Sequence, residues 1–394
     1  MKMLEQGLSK KKIEEILDKK LAKDYKYTSG SILGSMCTIP HKFAQKIFCK
    51  YMHKNLGDPG LFPETAKLEE QTVDEIGELF GGTGIVGSFT TGGSEANLIA
   101  MRIARDRRPD IKHPEVVVPL SAHMSFDKSA DLLGIKLRKA RLKNNFELDI
   151  DHFKSLINEN TCGVVGIAGT TSLGLVDPIE KIGKMVTDTD IFFHVDAAFG
   201  GFVLPFLPQL GYSIPQWDFA VEQVDSITAD PHKMGLNVIP SGGIFIKSEN
   251  IIQKLGFEIP YLAGGNFKHL HIVGTRPGGT VVSFWALMKY LGNKGFRDII
   301  HNCMKNTHYL SKQINKIDGV KLAAEPLMNI LGITTESGES ICELDKMLRK
   351  HDWMLGKFEE FNLIRIVIMP HVKQSHLENF VRDLEIVVKD IGLN

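Results

Sequence analysis

The sequence predicts an α/β fold in two lobes, the larger built on a mostly parallel sheet and the smaller an α+β unit at the C-terminal end. Short apolar runs such as Glu115-Val116-Val117-Val118 alternate with helical patterns, the signature of parallel strands covered on both faces. The 394 residues exceed what one compact core usually holds. A long helical stretch at 281–317 leads out of the alternating region.

The elements follow in order. Residues 9–23 read as an amphipathic helix with Ser9 as N-cap and Ile13, Ile16, Leu17 and Leu21 on one face. Such a helix either packs on its own body or reaches a partner subunit. Residues 68–80 are helical, 85–90 extended and 94–105 helical again. Strands are expected at 115–118, 163–168, 191–195, 226–228 and 243–246. Beyond the long helix, strands at 328–335 and 363–368 and helices at 339–350 and 375–391 form the smaller unit. The implied division is an N-terminal arm (1–60), a large domain (61–285), and a linking helix with a small domain (286–394).

Composition narrows the function. Lys+Arg and Asp+Glu both total 47, so the basic excess of a general nucleic-acid surface is missing. No apolar run has signal-peptide or membrane-spanning length. The five cysteines are scattered without a C-x-x-C pair, which fits reduced thiols in the cytoplasm. His269 and His271 have no third ligand at metal-binding spacing, so no metal is expected.

The chemistry-bearing residues lie at predicted strand ends, where open α/β sheets collect ligands. Asp196 closes the run Ile191-Phe192-Phe193-His194-Val195-Asp196. A carboxylate there needs a cation, for which a protonated pyridine nitrogen would serve, or it caps a helix. The small Ala197-Ala198 pair leaves room for a flat ring. Lys233, in Asp230-Pro231-His232-Lys233, follows another strand and could present its amine to the same crevice, or sit on a solvated rim. Gly92-Gly93-Ser94 joins a strand to a helix, offering amides and a hydroxyl to an anion; Ser94 could equally be an N-cap. His123 could stack on a planar cofactor or be structural. Thr171 could bond a cofactor oxygen or belong to a loop. Gly82-Thr83-Gly84-Ile85-Val86-Gly87 matches G-x-G-x-x-G but precedes a strand, so it is not a dinucleotide fingerprint.

Together, the segments 93–97 (GSEAN), 121–125 (SAHMS), 169–171 (GTT), 194–198 (HVDAA) and 230–233 (DPHK) resemble the group II pyridoxal-phosphate-dependent amino-acid decarboxylases. The segments 55–62 (NLGDPGLF), 195–202 (VDAAFGGF), 274–279 (GTRPGG) and 365–371 (RIVIMPH) are similar to archaeal tyrosine/aspartate decarboxylases, nearly end to end. This resemblance implies the aspartate-aminotransferase-like PLP fold type I, with a mostly parallel seven-stranded sheet. It implies pyridoxal 5'-phosphate as cofactor, held by Lys233 as a Schiff base. Asp196 would face the pyridine nitrogen, His123 would stack on the ring, and Ala198 would line the ring site. Gly93, Ser94 and His232 would hold the phosphate, and Thr171 would lie near the ring oxygen. Thr275 would close the phosphate site of the other subunit in a homodimer with shared active sites.

The substrate implied is an amino acid: tyrosine, giving tyramine for methanofuran, aspartate, giving β-alanine for coenzyme A, or both, with glutamate an alternative. Related animal enzymes take a proton from a loop tyrosine, but the matching stretch 292–299 has none. Tyr261 and Lys233 are then the candidate proton donors. Arg365 would clamp a substrate carboxylate or make a surface salt bridge. Two rival readings stand beside decarboxylation. One is a carbon–carbon lyase of the sphingosine-phosphate-lyase type; the other is a catalytically silent PLP-binding scaffold, which would have no need for Lys233, Asp196 and His123 together.

Overall fold

The computed structural model describes residues 3–393. Helix α1 (Lys10–Leu21) is capped by the Ser9 side chain, which accepts from the Lys12 amide, and it buries none of its residues. Helix α2 (Lys42–Tyr51) and helix α3 (Pro63–Leu79) follow, α3 opening on a proline whose missing N–H costs nothing in a first turn.

The large sheet then forms from β1 (Val86–Thr90), β2 (Glu115–Pro119), β3 (Lys136–Ala140), β4 (Thr161–Ile167), β5 (Phe192–Asp196), β6 (Ser226–Ala229) and β7 (Gly242–Ile246). The intervening helices are α4 (Gly93–Asp106), α5 (Ser125–Leu133), α6 (Ile150–Ser155) and α7 (Ile179–Val186). Strand order is β1-β7-β6-β5-β4-β2-β3, with β7 antiparallel to both of its neighbours and the other pairs parallel. Register pairs Ile167 with Asp196 and Asp196 with Thr228. The carboxyl ends of β4, β5 and β6 therefore share one edge, and that edge holds the site.

Behind the sheet lies an aromatic core in which Phe80 packs edge-on against Trp217 and Phe245, at centroid distances of 5.3 and 5.4 Å. Each such ring, taken fully out of water, contributes roughly 1.5–3 kcal/mol. A bidentate ion pair crosses the same lobe. Arg276 Nη1 and Nη2 meet Glu69 Oε1 and Oε2 at 2.6 and 3.0 Å, and Glu69 Oε1 also accepts the Phe89 amide at 2.8 Å. These bonds tie α3, β1 and the segment after the second sheet into one block.

That second sheet is the exposed hairpin of β8 (Phe257–Leu262) and β9 (Gly265–His269), which follows α8 (Glu249–Leu255). Helix α9 (Gly278–Ile314) then leads to the smaller lobe and breaks at Gly292, whose φ of 57° is the left-handed conformation glycine adopts freely. The smaller lobe has the sheet β10-β11-β13-β12, made of β10 (Val320–Leu322), β11 (Ile330–Thr335), β12 (Gly356–Phe358) and β13 (Leu363–Val367). It is covered by α10 (Ile341–Lys350) and α11 (Gln374–Asp390) around a core that includes Leu344, Ile366 and Phe380. An N-terminal strap bridges the lobes: the Val367 amide donates to Leu33 O (2.7 Å) and the His41 amide to Leu236 O (2.9 Å).

Candidate active site

The strand ends, the N-terminus of α4 and the strap enclose a cleft of about 330 Å³. Its lining includes Gly93, Ser94, His123, Thr171, Asp196, Ala198, His232 and Lys233. Eight of the positions predicted from sequence thus converge on one cavity.

Asp196 is only 5% exposed. Its Oδ1 accepts the Ala198 amide at 3.0 Å, and its Oδ2 accepts Asn97 Nδ2 at 2.9 Å. Both donors are neutral. The Asn97 amide is oriented by its second bond to Ser125 Oγ (3.0 Å) and by His194 Nε2, 3.1 Å from Asn97 Oδ1. Because Asn97 Oδ1 can only accept, His194 carries its proton on Nε2 and takes the Ser226 hydroxyl on Nδ1 at 2.8 Å. Burial pushes the His194 pKa down to about 4, so this imidazole stays neutral. Asp196 is consequently a buried carboxylate held in place without being neutralised, which suits it to a cation that arrives with a ligand. The helix-capping alternative does not hold: residues 198–199 form a turn and a short 3-10 segment follows at Gly200–Phe202.

Lys233 follows β6 on a turn closed by its own amide donating to Asp230 O at 3.0 Å. Its Nζ lies 3.1 Å from Asp230 Oδ2. His232, next to it, accepts the Ser241 amide on Nδ1 at 3.0 Å, which leaves the Nε2 proton facing Asp230 Oδ2 at 3.6 Å.

Helix α4 begins at Gly93 with Gly92 as N-cap, so Ser94 stands inside the first turn and is not the cap. Here the backbones approach closely. A Cβ on Gly242 would sit 2.4 Å from Gly92 Cα, and one on Gly93 would sit 3.0 Å from Asp230 Oδ2. The amides of this 14-residue helix therefore open onto the cleft as an anion seat. His123 stands at the cleft rim, its Nδ1 accepting the Ser125 amide at 3.1 Å.

Arg365, on β13, backs the cleft wall: Nη1 donates to Thr171 O at 2.9 Å and Nη2 to Gly34 O at 2.5 Å. Both partners are neutral carbonyls, Nε is buried without a hydrogen-bond partner, and burial lowers the pKa to about 10. The surface-salt-bridge alternative is thereby corrected. Two predicted positions lie elsewhere in this chain. Tyr261 is 82% exposed on the β8–β9 hairpin, and Thr275 is exposed on the loop before α9. Neither lines the cleft of its own chain.

Sequence reasoning passed over Asn97, His194 and Asp230, although all three stand inside the quoted motifs. It also passed over Met36, which the strap brings to the cleft. Their significance is tertiary, because Asn97 and Asp196 are 99 residues apart. Among the described residues no group of three His, Cys, Asp or Glu is placed to hold a metal ion. No helix among them is long and apolar enough to cross a membrane.

The donor set fits one kind of group: a cationic ring nitrogen against Asp196, a carbonyl carbon against the Lys233 amine, and a phosphate at Gly93 and Ser94. Comparisons with known proteins point the same way. Residues 38–332 match the pyridoxal-dependent decarboxylase conserved domain. An L-aspartate/L-glutamate decarboxylase of Pyrococcus horikoshii is 42% identical over 388 residues, covering 98% of this chain and 100% of that protein. A probable L-tyrosine/L-aspartate decarboxylase of Methanothermobacter thermautotrophicus is 43% identical over 359 residues, covering 91% and 98%. Among solved structures, the sphingosine-1-phosphate lyase of Burkholderia pseudomallei superposes with a TM-score of 0.91 at 24% identity, covering 99% of this chain and 92% of that one. The glutamate decarboxylase of Lactobacillus brevis does so with 0.88 at 23%, covering 99% and 94%. At those identities the structural likenesses speak for the fold alone.

Proposed function

The chain belongs to the pyridoxal-dependent decarboxylase family, and on that premise we propose that it removes the α-carboxyl group of L-aspartate, leaving β-alanine and carbon dioxide. The fold is PLP fold type I and the activity is that of a PLP-dependent carboxy-lyase. The bound cofactor supplies an electron sink for the pair left behind when carbon dioxide departs.

The observation that carries the site assignment is Asp196, a buried carboxylate that meets only neutral donors. Its charge would keep a ring nitrogen protonated, while His194, being neutral, cannot compete for that role. Lys233 would bind the cofactor covalently and, once displaced, return a proton to the substrate carbon; Tyr261 of this chain lies outside its own cleft. Gly93, Ser94 and His232 would seat the phosphate, with Thr171 and Ala198 bordering the ring and His123 covering it. Arg365 would bind a substrate carboxylate: its guanidinium has no anionic partner, and it stands behind Thr171, which lines the cleft.

An acidic substrate is favoured by that unpaired cation and by the relatives named aspartate decarboxylases. Tyrosine is the second reading, favoured by the relatives named L-tyrosine/L-aspartate decarboxylases. A homodimer with shared sites is part of the proposal. Its support is the exposed Thr275 loop, which stands outside this chain's own cleft, and the apolar residues Ile13, Leu17 and Leu21 of α1, all exposed here. Cytoplasmic residence is supported by five free cysteines. Side-by-side turnover of aspartate, tyrosine and glutamate with the cofactor-loaded protein tests the substrate assignment. β-Alanine and carbon dioxide in equal amounts, at the highest kcat/KM of the three, are expected. No carbon dioxide from any of them would overturn it.

A further inference from the structure

Asp230 holds a position that the roles above do not explain. It is 2% exposed, and its carboxylate lies against Gly93 in the proposed phosphate seat, where a Cβ on that glycine would stand 3.0 Å from Oδ2 and 3.4 Å from Oδ1. An anion buried beside an anion seat is costly unless a cation is nearby. The cation the structure supplies is Lys233, with Nζ 3.1 Å from Oδ2. His232, at 3.6 Å, offers a neutral N–H whose pKa burial pushes down, and Oδ1 has no hydrogen-bond partner at all.

We propose that Asp230 is a positioning residue that receives the Lys233 ammonium when an incoming amine displaces it from the cofactor. The exchange balances as follows: the incoming neutral amine forms its double bond to the cofactor carbon and gives up its two N–H protons, the double bond from that carbon to Lys233 Nζ breaks, and Nζ, already carrying the imine proton, takes up those two and leaves as the ammonium. Asp230 stabilises that charged leaving form at a fixed spot, three residues back on the same turn. It therefore favours release of the lysine over its recapture and keeps Nζ at the cleft floor. Asparagine in its place preserves shape and could accept one hydrogen bond, but it withdraws the charge that the ammonium meets.

This inference rests on Lys233 being the cofactor lysine, and the experiment separates the two. Cofactor-loaded wild-type and Asp230→Asn proteins are mixed with methoxyamine, which attacks the cofactor–lysine bond without needing the substrate pocket. The visible absorbance of the bound cofactor then reports the exchange. Loss of a charge-assisted partner predicts a rate about tenfold lower or less in Asp230→Asn, at unchanged cofactor content. Equal rates would overturn the proposal, and so would an Asp230→Asn protein that no longer retains cofactor, since that points to a role in the phosphate seat or the fold. Mapping the peptide that borohydride fixes to the cofactor in wild type checks Lys233 independently of either result.

Discussion

Replacing Asp196 with asparagine separates what this residue does for the fold from what it does for the chemistry. The carboxylate accepts two bonds, from Asn97 Nδ2 at 2.9 Å and from the Ala198 amide at 3.0 Å. An asparagine side chain offers one oxygen and one NH₂ group, so one of these two donors must face another donor. Leaving one buried N–H unpaired costs about 1–3 kcal/mol, a tolerable loss for a domain of ordinary stability. The chemical loss should be larger, because nothing then keeps the ring nitrogen protonated. His194 cannot substitute, being neutral and turned towards Asn97. Carbon dioxide release by Asp196→Asn should fall at least about a hundredfold, the lower end of what a positioned proton-transfer group contributes. Cofactor content should stay within reach of wild type. Turnover near the wild-type rate at equal cofactor content would refute the reasoning.

Other expectations rest on separate parts of the structure. Arg276→Met strands the Glu69 carboxylate in the large lobe and should destabilise the protein by about 3–5 kcal/mol, read from the midpoint of urea unfolding. Gly356→Ala would bring a Cβ to 2.9 Å from Arg365 Nε and 3.1 Å from Nη2, so the guanidinium must move by a few tenths of an ångström. KM for the acidic substrate should rise more than kcat falls, and steady-state kinetics on aspartate checks it. Arg138 first, with Asn158 and Lys136, pulls the Glu115 pKa down to about 2 from 4.5. The folded-state value is depressed, so this stabilisation is present above about pH 4.5 and lost as pH falls towards 2. With partners this exposed it amounts to about 1 kcal/mol or less, and Glu115→Gln should flatten the acid limb of a stability–pH curve.

Much of the architecture was legible because the strands in the middle of the large sheet are short apolar runs between helices. Three of the strands that escaped have plain physical reasons to do so. Strand β3 reads Lys136-Leu137-Arg138-Lys139-Ala140 and lies at a sheet edge, where charge is tolerated and the apolar signal fades. Strands β10 and β12 have three residues each, too few to show a period. The cleft was legible as motifs: Asp196, Lys233, His232, Gly93 and Ser94 all meet there. Its electrostatics were not. The neutrality of His194 depends on burial, and the Asp230–Lys233 pair depends on how one turn folds back on itself. Arg365 was open to a carboxylate clamp or a surface ion pair; only the packing of β13 against the strap and the Thr171 turn shows a guanidinium bonded to carbonyls alone. The resemblance placed Thr275 at the other subunit's phosphate site, and in this chain it lies outside the cleft; nothing in the sequence around Tyr261 signalled its exposed place on the β8–β9 hairpin.

The most direct test of the account is where the cofactor attaches. The protein is loaded with pyridoxal 5'-phosphate, reduced with borohydride and digested, and the modified peptide is identified by mass spectrometry. The account predicts a single phosphopyridoxyl group on Lys233, in the peptide carrying Asp230-Pro231-His232, and none in Lys233→Ala. Modification of another lysine, with Lys233 left free, would contradict it.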